Sequence, residues 1–172
     1  MAAHDFSRRN LAQYWAAAGS GLALAWTALR GRAKAAPQNT SPPGLKRLNA
    51  KGEPADGPIS SAVVFNGMIY ATCGANDVEK TDSLDIADHV TRTMNTLKTI
   101  VEAGGGDMGT VKILTVHLAS LEYYGAMNRV YQTFFQGLPE GGRAPARCTM
   151  AFGQLANGNL FQITCIAAVK GA

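Results

Sequence analysis

The stretch from Pro145 to Val169 constrains the fold more than any other. It holds two strand-forming apolar runs, Pro145 to Leu155 and Leu160 to Val169, on either side of Ala156-Asn157-Gly158-Asn159. An Asn-Gly pair between such runs is a turn signal, because both residues tolerate positive φ. The pattern predicts two strands around a tight turn. Arg147 stands where the first strand begins. A guanidinium entering an apolar strand must meet an anion or bear the cost of desolvation. The residues alone leave two partners open, a neighbouring carboxylate of the chain or a bound anion.

The first 35 residues read as a targeting segment. Ser7-Arg8-Arg9-Asn10-Leu11 places two arginines ahead of an apolar run that ends near Leu29, and Ala33-Lys34-Ala35 has the pattern that signal peptidase cuts. Together they predict a bacterial twin-arginine (Tat) signal peptide. Gln13, Gly19, Ser20 and Gly21 dilute the run, which makes it a weak membrane anchor. The expectation is export by the Tat machinery to the periplasm with cleavage; the alternative is a retained anchor with the domain facing the periplasm. Residues 36–44, rich in Pro, Ser, Asn and Gln, form an expected flexible linker. Residues 45–172 suffice for one folded domain.

This division relocates the charge. The chain carries 16 Lys and Arg against 12 Asp and Glu. Arg8, Arg9, Arg30, Arg32, Lys34 and Asp5 belong to the leader, which leaves eleven residues of each sign beyond it. A domain without net charge has no electrostatic claim on nucleic acid, and none is expected as a partner.

Within the domain, Leu45 to Asn49 suits a short edge strand. Ser61–Phe65 and Met68–Cys73 flank Asn66-Gly67 and predict a hairpin. Gly74 to Asp85 is polar and reads as a loop. Ile86, Val90, Met94, Leu97 and Val101 recur at helical spacing, with Asp82, Ser83 and Asp85 as candidate N-caps and Gly104-Gly105-Gly106 as the stop. His89 lies one position off that stripe, at its boundary. Val111 to Leu118 is apolar on both faces and predicts a central strand. Glu122 to Phe135 predicts a second helix that buries Met127, Val130, Tyr131 and Phe134. Gly137 to Ala144 reads as a loop. A run of strands with two interspersed helices argues for an α+β fold with both helices on one face of the sheet.

Cys73, Cys148 and Cys165 are odd in number and lack CxxC spacing, so neither a metal site nor a disulfide framework is expected. Cys148 and Cys165, in strands, read as buried thiols. His117, mid-strand, reads as a core or interface histidine. The glycines form no phosphate-binding pattern, and no cofactor is expected.

Pro145-Ala146-Arg147-Cys148-x-Met150, followed by a glycine, a leucine and an apolar strand, resembles the C-terminal signature of the RidA/YjgF/UK114 family. The resemblance extends back to Gly57-Pro58, over about two thirds of the chain, and includes Ala-Met-Asn-Arg-Val-Tyr-x-x-Phe-Phe at 126–135. It implies a chorismate-mutase-like fold with a mixed sheet of about six strands, assembled as a homotrimer with a site at each subunit interface. It also implies enamine/imine deaminase activity on a small carboxylate-bearing imine. Arg147 would bind the substrate carboxylate. Asn128, Cys73, Thr149, Cys148 and Ile59 would line the pocket, and Gln162 would stand in the catalytic position. Two departures matter. The family's Gly-Pro-Tyr is Gly57-Pro58-Ile59 here, and its apolar-Glu-apolar strand is Phe161-Gln162-Ile163. A glutamine hydrogen-bonds water but is no general base. A non-catalytic carboxylate-binding or interaction protein is therefore the alternative reading.

Replacing Arg8 and Arg9 together with lysine is expected to leave the protein in the cytoplasm, as read by cell fractionation, while folding is unchanged.

Overall fold

A computed structural model describes residues 43–77, 85–136, 138 and 144–172. The expected signal peptide, most of the expected linker, Asp82, Ser83 and Gly141-Gly142 lie outside the described residues.

The elements follow in the order β1 (Lys46–Leu48), β2 (Ala62–Phe65), β3 (Met68–Gly74), α1 (Ile86–Ala103), β4 (Val111–Leu118), α2 (Tyr124–Thr133), β5 (Ala146–Ala151) and β6 (Phe161–Ala168). The strands form one mixed sheet in the order β1-β2-β3-β6-β4-β5. Only β4 and β5 run parallel, joined by α2 as a crossover; the other neighbours are antiparallel. Strand alternation decides which face is covered. Phe161, Ile163, Cys165 and Ala167 of β6 are buried, and in the same layer lie Ile69, Ala71 and Cys73 of β3 and Leu114, Val116 and Leu118 of β4. They meet Val90, Met94, Leu97, Ile100 and Val101 of α1 and Met127 and Tyr131 of α2. The expected α+β architecture, with two helices on one face, is present.

Asn66 and Gly67 both adopt positive φ, 50° and 72°, and close the β2–β3 hairpin as expected. Asn157 and Gly158 do the same, at 60° and 69°. Yet β5 and β6 do not pair, because β4 lies between them. The expected two strands exist, but the segment joining them bridges the end of β4 instead of closing a tight hairpin. The Phe152 amide donates to Leu118 O, and the Ala119 amide donates to Leu160 O. β5 is thereby the outer edge of the sheet.

Asp85 caps α1, its carboxylate accepting from the Asp88 amide at 2.9 Å. The helix stops at Gly104. At Gly106 a Cβ would lie 2.8 Å from Ala168 O, so the glycine is needed for close approach to β6. Four expectations require correction. His89 is buried, not peripheral: its Nδ1 accepts the Leu160 amide at 3.5 Å, and burial holds its pKa below the usual value. The second helix is shorter than predicted, since Leu121–Tyr123 is a 3₁₀ turn. Because α2 ends at Thr133, Phe135 takes the buried place expected of Phe134 and packs on Tyr131 at 4.9 Å between ring centroids. Cys148 is exposed, because on β5 it faces away from both helices, opposite Thr115, whereas Cys73 and Cys165 are buried. Among the described residues no helix is long and apolar enough to cross a membrane.

Leu97→Ala should lower unfolding stability by about 2–5 kcal/mol, whereas Leu121→Ala, at a position 65 % exposed, should change it by less than about 0.5 kcal/mol in denaturant titrations.

Candidate functional site

Arg147 lies on β5 opposite Leu114, on the helix-bearing side of the sheet, where α2 passes over the edge. Its guanidinium sits 4.6 Å from the Tyr131 ring centroid and 5.8 Å from that of Tyr124. Nη1 contacts Met127 Sδ at 3.9 Å, and Nη2 donates to the Tyr124 hydroxyl oxygen at 3.4 Å. No carboxylate of the described residues forms an ion pair with it. Two aromatic faces stabilise the cation without neutralising it, so an anion-binding fork is left at the sheet edge.

The helix supplies the neighbours by its period. Tyr124, Asn128 and Tyr131 occupy positions i, i+4 and i+7 and share one stripe over β5. Asn128 is half-buried and stands one turn along the helix from Tyr124. Its side chain, and then the Arg147 charge, lower the Tyr124 pKa from its ordinary value. Tyr131 differs. Its hydroxyl is buried with no hydrogen-bond partner in the structure, and burial pushes its pKa up to about 12 against the opposing pull of Arg147.

The sequence-predicted residues divide by position. Asn128 and Thr149 join Arg147, the threonine two residues along the same strand and therefore on the same face. Cys148, between them, points to the open face. Gln162 is also on the open face, paired with Gly74 and His117. Cys73 faces the helices, buried, its Sγ donating to Thr93 O at 3.6 Å. Ile59 precedes β2 and is 83 % exposed. β2 is four strands from β5, about 19 Å at ordinary strand spacing. Within one subunit Gln162, Cys148, Cys73 and Ile59 do not reach Arg147. His117 is half-buried on the open face and packs edge-to-face on Phe152. Sequence reasoning overlooked Tyr124, and it treated Tyr131 as packing alone. Their i, i+4, i+7 relation with Asn128 was the available signal.

Residues 50–169 match the family model described as Endoribonuclease L-PSP. The chain belongs to the Rid/YjgF/L-PSP family. A rat protein named 2-iminobutanoate/2-iminopropanoate deaminase is 29% identical over 121 residues, covering 69% of this chain and 85% of the relative. A Pyrococcus horikoshii RutC family protein is 28% identical over 114 residues, covering 64% and 86% respectively. Among solved structures, the Escherichia coli YjgF gene product aligns with a TM-score of 0.61 at 25% identity, over 72% of this chain and 97% of its own. A candidate endoribonuclease of Thermotoga maritima aligns at 0.63 and 31%, over 73% and 98%. These alignments bear out the chorismate-mutase-like architecture of this Rid chain.

Tyr131→Phe removes a buried hydroxyl without a partner and keeps the ring under Arg147. Thermal unfolding should show stability unchanged or raised by up to about 1 kcal/mol.

Proposed function

We propose that this Rid protein is an exported enamine/imine deaminase that hydrolyses small carboxylate-bearing imines to the keto acid and ammonia. One observation carries the reading: Arg147 is held between two tyrosines at a sheet edge, with no carboxylate of the described residues paired to it. A guanidinium so placed takes a substrate carboxylate through two parallel hydrogen bonds. The rat relative's name supplies the reaction class.

The working assembly is a homotrimer with a site at each subunit interface. Its motivation is geometric. Gln162 and Ile59 are remote from Arg147 in one subunit, and a second copy brings such residues to it only by packing on the open face and the β5 edge. Tyr70, Ile113 and Met150 leave that face partly apolar, as a buried contact requires. Export through the Tat route to the periplasm is motivated by Arg8-Arg9 and the apolar run that follows. Substrates there would be imino acids released by amine oxidation outside the cytoplasm. The family model's name refers to a ribonuclease, but the balanced charge beyond the leader gives RNA no electrostatic foothold.

A second reading rests on Gln162, an amide at the position where the family carries a carboxylate. In it the protein binds a small organic acid without turning it over.

The test supplies imino acids from an amino-acid oxidase and traps the unhydrolysed fraction with semicarbazide. Wild-type protein should reduce trapping, and Arg147→Ala should lose at least about 100-fold in kcat/KM with its oligomeric state intact. Equal rates for the two proteins would sink the deaminase reading. Carboxylate binding without turnover would favour the second.

A further inference from the structure

The neighbours of Arg147 are arranged around one oxygen. The Tyr124 hydroxyl oxygen accepts from Arg147 Nη2 at 3.4 Å. A phenolic oxygen has two acceptor positions and one proton. Because a guanidinium can only donate, the Tyr124 O–H is directed away from it. Tyr124 is 43 % exposed, so its hydroxyl is open to a ligand seated beside the guanidinium.

We propose that the Tyr124 hydroxyl is the proton donor to the imine nitrogen of a substrate whose carboxylate is held by Arg147. The proposal deepens the deaminase reading and rests on it. In a 2-imino acid the nitrogen is bonded to the carbon that bears the carboxylate. Seating the carboxylate on the guanidinium therefore brings the nitrogen beside a hydroxyl that itself touches the guanidinium. Two tyrosines flank Arg147, and only one is suited to the task. Tyr131 is buried and held in its neutral form, its pKa pushed up to about 12. Tyr124 is open, and the Asn128 side chain and the Arg147 charge lower its pKa, which makes it the stronger acid.

The step balances without a co-reactant other than water. The Tyr124 O–H bond breaks as an N–H bond forms, giving an iminium and a phenolate. Water adds to the carbon, and its proton passes to the phenolate, leaving a neutral carbinolamine. Tyr124 then protonates the amine. The C–N bond breaks, ammonia leaves, and the proton of the new carbonyl returns to the phenolate. The net change is imine plus water to ketone plus ammonia, with Tyr124 regenerated.

Tyr124→Phe tests the idea cleanly, since the ring stays beside Arg147 and only the hydroxyl is lost. Steady-state kinetics of the purified full-length protein and the variant are measured on an imino acid generated in situ, with thermal unfolding as the check on folding. The expected result is a fall in kcat of about 100-fold with KM within about twofold. An unchanged kcat overturns the proposal, whether KM stays the same or rises; a rise alone would make the hydroxyl merely part of the carboxylate clamp. Turnover by the wild type with an undiminished Tyr124→Phe leaves the deaminase reading standing and removes only the role of Tyr124. Absence of turnover in the wild type overturns both.

Discussion

Phe161, Ile163, Cys165 and Ala167 alternate along β6 with Gln162, Thr164, Ile166 and Ala168, and this alternation orients the rest of the molecule. β6 pairs with β3 on one side and β4 on the other, so its register sets which residues of both neighbours face the helices. A slip of one residue would turn Phe161 and Ile163 outward and put Gln162 and Thr164 beneath α1. The buried set leaves no tolerance for that exchange, since it includes Phe161, the largest of the fully buried side chains. The same alternation separates Gln162 from Arg147 by putting them on opposite faces. One strand's pleat thus decides both the core and the distribution of polar groups available for chemistry.

Much of the fold was legible because local and tertiary preferences agreed. Asn66-Gly67 joins two strands that pair with each other, and the short-range signal sufficed. Asn157-Gly158 carries the same chemistry and the same positive φ values. There the strands belong to different places in the sheet, because α2 returns the chain parallel to β4 and the following segment must pass the end of that strand. Backbone conformation at a turn is written in two residues. Which strands become neighbours depends on crossovers tens of residues long. The periodicity of α1 was read correctly for the same reason as the first hairpin, and its boundary histidine was misplaced because Leu160, which covers it, comes 71 positions later.

The site was partly legible. Arg147 stood out as a charge in an apolar strand, and Asn128 through the family resemblance alone. Tyr124 did not stand out, because a tyrosine in an amphipathic helix needs no special account. Its significance arises only when β5 docks under α2 and puts a guanidinium against the hydroxyl. Cys73 and Cys148 were harder still. Adjacent strand positions differ by a full reversal of direction, so whether a thiol lines a core or meets solvent turns on a register that sequence spacing does not supply.

The β4–α2–β5 crossover has a consequence for how the protein acquires its anion-binding group. The contacts that hold Arg147 reach back 20 residues to Met127 and 23 to Tyr124. By contrast, β3 reaches β6 across 88 positions at Gly74 and Gln162 and 100 at Met68 and Ala168. Short loops close at less entropic cost than long ones, and contacts of low sequence separation form early on folding pathways. The guanidinium can be seated against its tyrosines while the sheet is still open, before β6 is inserted between β3 and β4. The contacts around Arg147 are local in sequence, and the pairing that completes the core is not.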